Sequence, residues 1–304
     1  MVKTFQLLNT KTVVSAFDSA NIFIYIAPTE EEKKALVGNY NIDEHTLSSS
    51  LDPDELARLE FEPDHIAMIV KIPKPYSGSD KLLFRVSTLG MFLFKDKLIV
   101  VIGEDIDLIR GKHFNKAYTL NDVMLKIIFS SILHFIDHLK TINLLSDEIE
   151  KKISTSMENH YLLEQFTLGK SLVYYQNAIN SNSALIEKLK LNSGKQGFTQ
   201  DEIDLLDDIL IENAQCYKQA DIYSNILASL MDAKASLISN NLNMLMKTLN
   251  IITIMIMVPT FVVSAFSMNV GMPFEKEPYA FGLIMGLALI SVMVFFLFWR
   301  WKKW

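Results

Sequence analysis

Eight residues spaced alternately three and four apart fall on one face of a helix: Asn243, Met246, Asn250, Thr253, Met257, Thr260, Ser264 and Ser267. Between Leu249 and Met268 every polar side chain lies on this stripe, and all other positions are apolar. At 1.5 Å per residue the stripe runs roughly 36 Å, the span of a bilayer. Its groups are amides, hydroxyls and thioethers, with no carboxylate. Such groups can hydrogen-bond a hydrated cation without stripping its waters, which suits magnesium, an ion that dehydrates reluctantly. Met246, Leu249 and Met257 could form apolar constrictions that gate by dewetting. Polar groups in hydrocarbon are costly unless they face protein or water. Two readings therefore stand: a water-filled pore around an oligomer axis, or a helix–helix seam held by small polar residues.

Two other constellations could bind metal. Asp201, Asp204, Asp208 and Glu212 share a helix face, with Asp207 beside them. Acids favour a helix N-terminus electrostatically, and oxygen ligands also suit a regulatory magnesium site completed by a neighbouring subunit. His134 and His138 are four apart, a spacing that can hold zinc. No third ligand and no general-base glutamate accompany them, so the pair is read as a solvated helix face.

The stripe must be carried by a membrane helix. No charged residue occurs between Lys247 and Glu275, or between Glu277 and Arg300. Both windows are long enough to cross a bilayer. They predict spans at about 248–268 and 278–299, joined by an external loop at 269–277. Trp299-Arg300-Trp301-Lys302-Lys303-Trp304 combines cations with aromatics, as at a cytoplasmic interface, and Lys234 and Lys247 mark the same side of the first span. Both termini are placed in the cytoplasm. The start, Met1-Val2-Lys3-Thr4-Phe5, lacks the apolar core of a secretory signal.

Upstream, residues 1–118 read as an α/β domain and 119–247 as a long-helix stalk, followed by the membrane hairpin at 248–304. Ile22–Ile26 and Ile66–Ile72 are β-branched strand signals. Leu82–Phe94 and Leu98–Ile102 flank Lys95-Asp96-Lys97 as a hairpin. Thr29 before three glutamates starts a helix that Gly38 ends. Helices are predicted from Asn121 past Glu150 and through Gln165 to Leu191. Thr199 with Glu202 forms a capping box, opening one continuous helix, about 90 Å long, that enters the membrane.

The 304 residues carry a net charge of −6, and no basic patch supports nucleic-acid binding. A single cysteine, Cys216, excludes an intrachain disulfide and a cysteine metal cluster. No phosphate loop, nucleophile elbow or other catalytic signature occurs. The chain is read as a non-enzyme.

The segment Pro259-Thr260-Phe261-Val262-Val263-Ser264-Ala265-Phe266-Ser267-Met268-Asn269, followed by Gly271-Met272-Pro273, resembles the CorA family of magnesium transporters. That family carries Gly-Met-Asn at the outer end of the first of two C-terminal spans. Here Met268 and Asn269 match, and Ser267 replaces the glycine. Ser239 to Lys247 resembles the family's approach to its pore helix. Leu51–Glu60 with His65–Pro73 resembles its helix-then-strand region, and Thr88–Val101 its central hairpin. The resemblance implies a funnel-shaped homopentamer whose pore is lined by the first span and whose closure follows high cytosolic Mg2+. It makes Asn269 the outer ring that captures hydrated Mg2+, with Met268 packed behind. It puts Asn243, Met246 and Leu249 at the cytosolic mouth, and Arg300, Lys302 and Lys303 in a basic collar beside it. Serine resists dihedrals that glycine allows, so Ser267 either alters selectivity and rate or is neutral. The same architecture moving zinc, cobalt or nickel, as in the related ZntB branch, is the alternative. Met268, where that branch carries isoleucine, favours magnesium. A membrane-anchored oligomeric sensor or scaffold is the alternative of another class.

Overall fold

The β-branched runs become the centre of a seven-stranded sheet in a computed structural model that describes residues 1–8, 11–77, 80–109, 114, 116–155, 159–268 and 278–302. The strands are β1 (Val2–Leu8), β2 (Lys11–Val14), β3 (Ile22–Ile26), β4 (Arg58–Phe61), β5 (His65–Pro73), β6 (Val86–Phe94) and β7 (Leu98–Ile102). Their order is β2-β1-β3-β7-β6-β5-β4. Only the β3–β7 pair is parallel. The helices are α1 (Glu30–Tyr40), α2 (Glu44–Ser49), α3 (Leu120–Thr155), α4 (Asn159–Asn192), α5 (Gln200–Phe266) and α6 (Ala280–Lys302). The chain forms two compact units, Met1–Ser229 and Leu230–Trp304.

In the first unit the central strands read as continuous apolar runs because both sheet faces are covered. Ile24, Met68, Met91 and Val100 face a core shared with α3, α4 and the early part of α5. Tyr25, Ala67, Phe92 and Val101 face a smaller core with Leu36, Ile42 and Leu47. Asn182 of α4 ties the helices to the sheet, accepting from the Lys71 amide at 2.9 Å and donating to the Lys71 carbonyl at 2.8 Å.

Several sequence expectations are corrected. Gly38 lies inside α1, which runs on to Tyr40 and ends at Asn41 in the left-handed region (φ 53). Asparagine tolerates that conformation, so it supplies the stop. The segment after Leu51 is turn rather than helix. The helix precedes it as α2, capped by the Asp43 carboxylate, which accepts from the Thr46 amide. Strand β6 begins at Val86 rather than Leu82, because Lys81 and Leu82 both adopt positive φ. The short mixed strands β1 and β2 had no clear sequence signal. The Thr199–Glu202 capping box is present, at 2.7 and 3.4 Å. Glu202 is buried and also accepts from Thr119 and Asn121, which joins the starts of α3 and α5.

His134 and His138 do not form a solvated face. Both are half-buried and in edge contact. His138 Nδ1 lies 2.6 Å from the Tyr175 hydroxyl of α4. Burial, assisted by His134 and opposed by Asp137, pushes the His138 pKa down to about 4. The folded state thus takes up this proton later than the unfolded chain. Stability from this site is complete above about pH 6.5 and is lost as pH falls towards 4. The thermal midpoint is expected to drop between pH 7 and 5, with a shallower drop in His138→Gln. Parallel pH profiles for the two chains would refute the assignment.

Candidate functional site

The second unit is built largely from apolar residues. Both α5 and α6 contain windows long and apolar enough to cross a membrane. Along α5, Ile251, Met255, Val258 and Val262 are half-buried; along α6, Ile284, Ala288, Val292 and Phe295 are among the covered positions, with Leu283, Gly286, Ser291 and Trp299 beside them. Both sets repeat at three and four residues, so each helix turns one stripe to the other. Ala288, the one buried residue of α6, lines a cavity of about 590 Å³ between the two helices.

The middle of the polar stripe is turned away from these half-buried positions, while Thr260 and Ser264 also border a cavity against Met285, Ala288 and Leu289 of α6. From Ile251, Met255, Val258 and Val262 to Thr253, Met257, Thr260 and Ser264 the mean rotation is roughly 160° at 100° per residue. Asn243, Met246, Leu249, Asn250, Thr253, Met257, Thr260, Ser264, Ser267 and Met268 are all exposed in the single chain. Three of the four stripe hydroxyls share a further property. Thr253 Oγ1 donates to the Leu249 carbonyl at 2.9 Å, Thr260 Oγ1 to Ile256 at 2.7 Å, and Ser267 Oγ to Val263 at 3.1 Å. Each hydroxyl hydrogen is thereby committed to its own helix, leaving oxygen lone pairs as the outward function. At Thr253, Thr260 and Ser267 the stripe therefore presents acceptors, while the Asn243 and Asn250 carboxamides can both donate and accept.

At the start of the stripe, Asn243, Met246 and Asn250 form one wall of a groove whose other wall is Phe298, Trp299 and Lys302 of α6. Lys302 Nζ also sits 5.9 Å from the centre of the Phe298 ring. The structure thus brings the basic residue Lys302 beside the first stripe residues, while Arg300 is exposed. The sequence reading missed the role of Trp299. Its indole N–H is buried against this groove without a hydrogen-bond partner among the described residues. Lys303 and Asn269 lie outside the described residues. Ser267 follows the last turn of α5, its amide donating to the Ser264 carbonyl at 3.1 Å.

The acids of α5 are not gathered within one chain. Asp201, Asp204 and Asp208 are exposed, while Asp207 and Glu212 are half-buried. Asp207 is ion-paired with Lys190, and Asp204 accepts from Gln200 at 2.7 Å. Among the described residues no group of three or more His, Cys, Asp or Glu side chains could hold a metal ion.

An α/β soluble unit followed by two apolar helices, each long enough to cross a bilayer, fits the class of two-span membrane proteins. A family model described as CorA-like Mg2+ transporter protein matches residues 18–303. The chain belongs to this family of membrane transporters, which handle divalent cations and are not enzymes. It is 24% identical over 300 residues to the cobalt/magnesium transport protein CorA of Methanocaldococcus jannaschii, covering 91% of this chain and 89% of that one. The complete structure of the CorA magnesium transporter from that organism superposes with a TM-score of 0.82 at 20% identity, covering 98% of this chain and 96% of the other. The full-length CmaX protein gives 0.75 at 14% identity, with 100% and 97% covered. The cytoplasmic domain of ZntB from Vibrio parahaemolyticus gives 0.62 at 11% identity, with 78% and 98% covered.

Proposed function

We propose that five copies of this chain assemble around an axis with the α5 stripes facing inward, forming a funnel-shaped pore that conducts hydrated Mg2+. The observation that carries this reading is the row of outward hydroxyl lone pairs on Thr253, Thr260 and Ser267. Water bound to a divalent ion is polarised with its hydrogens outward, so a lining of lone pairs receives the hydrated ion intact. Self-association also accounts for the exposed apolar residues Ile211, Ile222 and Ile226 of α5. Both termini lie on the cytoplasmic side of the cell membrane, with Arg300, Lys302 and Lys303 as the collar beside Asn243, Met246 and Leu249. Asn269 forms the outer ring, supported by Met268 and Ser267.

Magnesium flux into liposomes should fall about ten-fold in Asn269→Ala, the loss of one hydrogen bond to a charged species. Equal flux would remove Asn269 from the ion path. The M. jannaschii relative is named for cobalt as well as magnesium, so cobalt is the second ion to measure.

The acids Asp201, Asp204, Asp207, Asp208 and Glu212 are read as one half of an inhibitory Mg2+ site, completed by a neighbouring subunit. Replacing Asp201, Asp204 and Asp208 together by asparagine is expected to shift inhibition by internal Mg2+ to higher concentration without lowering maximal flux. An unchanged inhibition curve would exclude the site.

A further inference from the structure

Strand β5 is buried along its whole length and, after His65 at its start, apolar except for Lys71, which is charged and 4% exposed. A lysine in that setting needs partners. Lys71 Nζ donates to the Pro53 carbonyl at 2.5 Å, and no carboxylate lies within salt-bridge distance of it among the described residues. The ammonium group has three hydrogens, and one carbonyl takes one of them.

Lys71 opens onto a cavity of about 440 Å³ between the β5–β6 pair and α4, all within the first unit. Arg85, just before β6, and Lys170 of α4 line the same space. Neither has a carboxylate partner among the described residues. Lys170 sits 5.6 Å from the centre of the Tyr174 ring, and Asn177, one turn further along α4, adds an amide. One acid, Asp54, stands on the wall. The site is held open by rigid elements: the Asn182 clamp on Lys71 and a 3.0 Å bond from the Phe84 amide to Ser171 Oγ. Burial lowers the Lys71 pKa, and Asp54, Asp52 and Glu55 oppose that shift without contacting the ammonium.

We propose that this cavity is a binding site for a soluble anion bearing adjacent phosphate groups, held by Lys71, Arg85 and Lys170. Three cations line one half-open cavity, and a multiply charged anion supplies acceptors for all of them. The site lies outside the hairpin, so it is independent of the reading of the pore.

The test is calorimetric titration of the full-length protein in detergent with pyrophosphate and with ATP, in EDTA so that metal sites stay empty. Saturable binding is expected. Arg85 and Lys170 are both exposed, so the double variant Arg85→Ala/Lys170→Ala should fold, and it should bind at least about ten-fold more weakly, as expected for lost charge-assisted hydrogen bonds. Asp54→Asn, which removes the like charge, should bind more tightly. No saturable binding of either compound, or equal binding by the double variant, would overturn the proposal.

Discussion

A chain carrying Thr253→Val and Thr260→Val together is expected to conduct Mg2+ about a hundred-fold more slowly than the unaltered protein, because two rings of acceptors are replaced by methyl groups and a hydrogen bond to a charged species is worth about 1.5–3 kcal/mol. Valine matches threonine in shape and keeps its stiff β-branched side chain. The carbonyls of Leu249 and Ile256, which accept from the two hydroxyls, lie inside a continuous helix and keep their backbone partners. The substitution therefore removes chemistry rather than structure. The experiment compares flux into dye-loaded liposomes, with the size of the assembly measured in parallel. A dry seam between helices would tolerate two valines, so undiminished flux with an intact assembly would move the stripe from pore to packing surface.

Gly90→Ala is expected to destabilise the soluble unit by about 3 kcal/mol, the range for overpacking a rigid core. Gly90 sits in β6 between Ile69 and Val101 on the neighbouring strands. A methyl group there would lie 2.5 Å from Ser50 Cβ, 2.8 Å from Ser50 Oγ and 3.3 Å from Phe92 Cε2. None of these is the loose end of a flexible chain. Ser50 is fully buried, and its hydroxyl donates to the Leu47 carbonyl at 2.6 Å. The thermal midpoint should fall by roughly 6–12 °C for a unit of this size. Adding Ser50→Gly removes both near atoms and should recover most of the loss. If the single change leaves the midpoint unmoved, or the second change recovers nothing, the close approach of α2 to β6 is not what fixes glycine at this position.

Sequence patterning was informative where one local property decided the outcome. Ile22–Ile26 and Leu98–Ile102 are strands over those same residues, since short β-branched runs with turn residues at their ends have few alternatives. Their parallel pairing across the middle of the sheet was not legible, because residues more than seventy positions apart carry no mutual signal in periodicity. The N-terminal strands were missed for a similar reason. Val2–Leu8 mixes polar and apolar residues and is defined by its neighbours β2 and β3 rather than by itself. The stripe on α5 was legible because helical spacing alone sets which residues share a face. That its hydroxyls turn their hydrogens inward was not, since this depends on rotamers. Lys71 gave no warning either, as its burial is produced by α4, more than a hundred residues away. His138 likewise owes its half-buried state to Tyr175, which is remote in sequence.

The inward-turned hydroxyls bear on a particle much smaller than a metal ion. Relay of an excess proton along a chain of hydroxyls and water requires each member to receive one hydrogen and release another in concert. Thr253, Thr260 and Ser267 have their only transferable hydrogen tied to a helix carbonyl. Such a group breaks the relay. The wall of such a pore would carry no proton wire of its own, and any proton passing the bilayer there would have to travel through the water column alone.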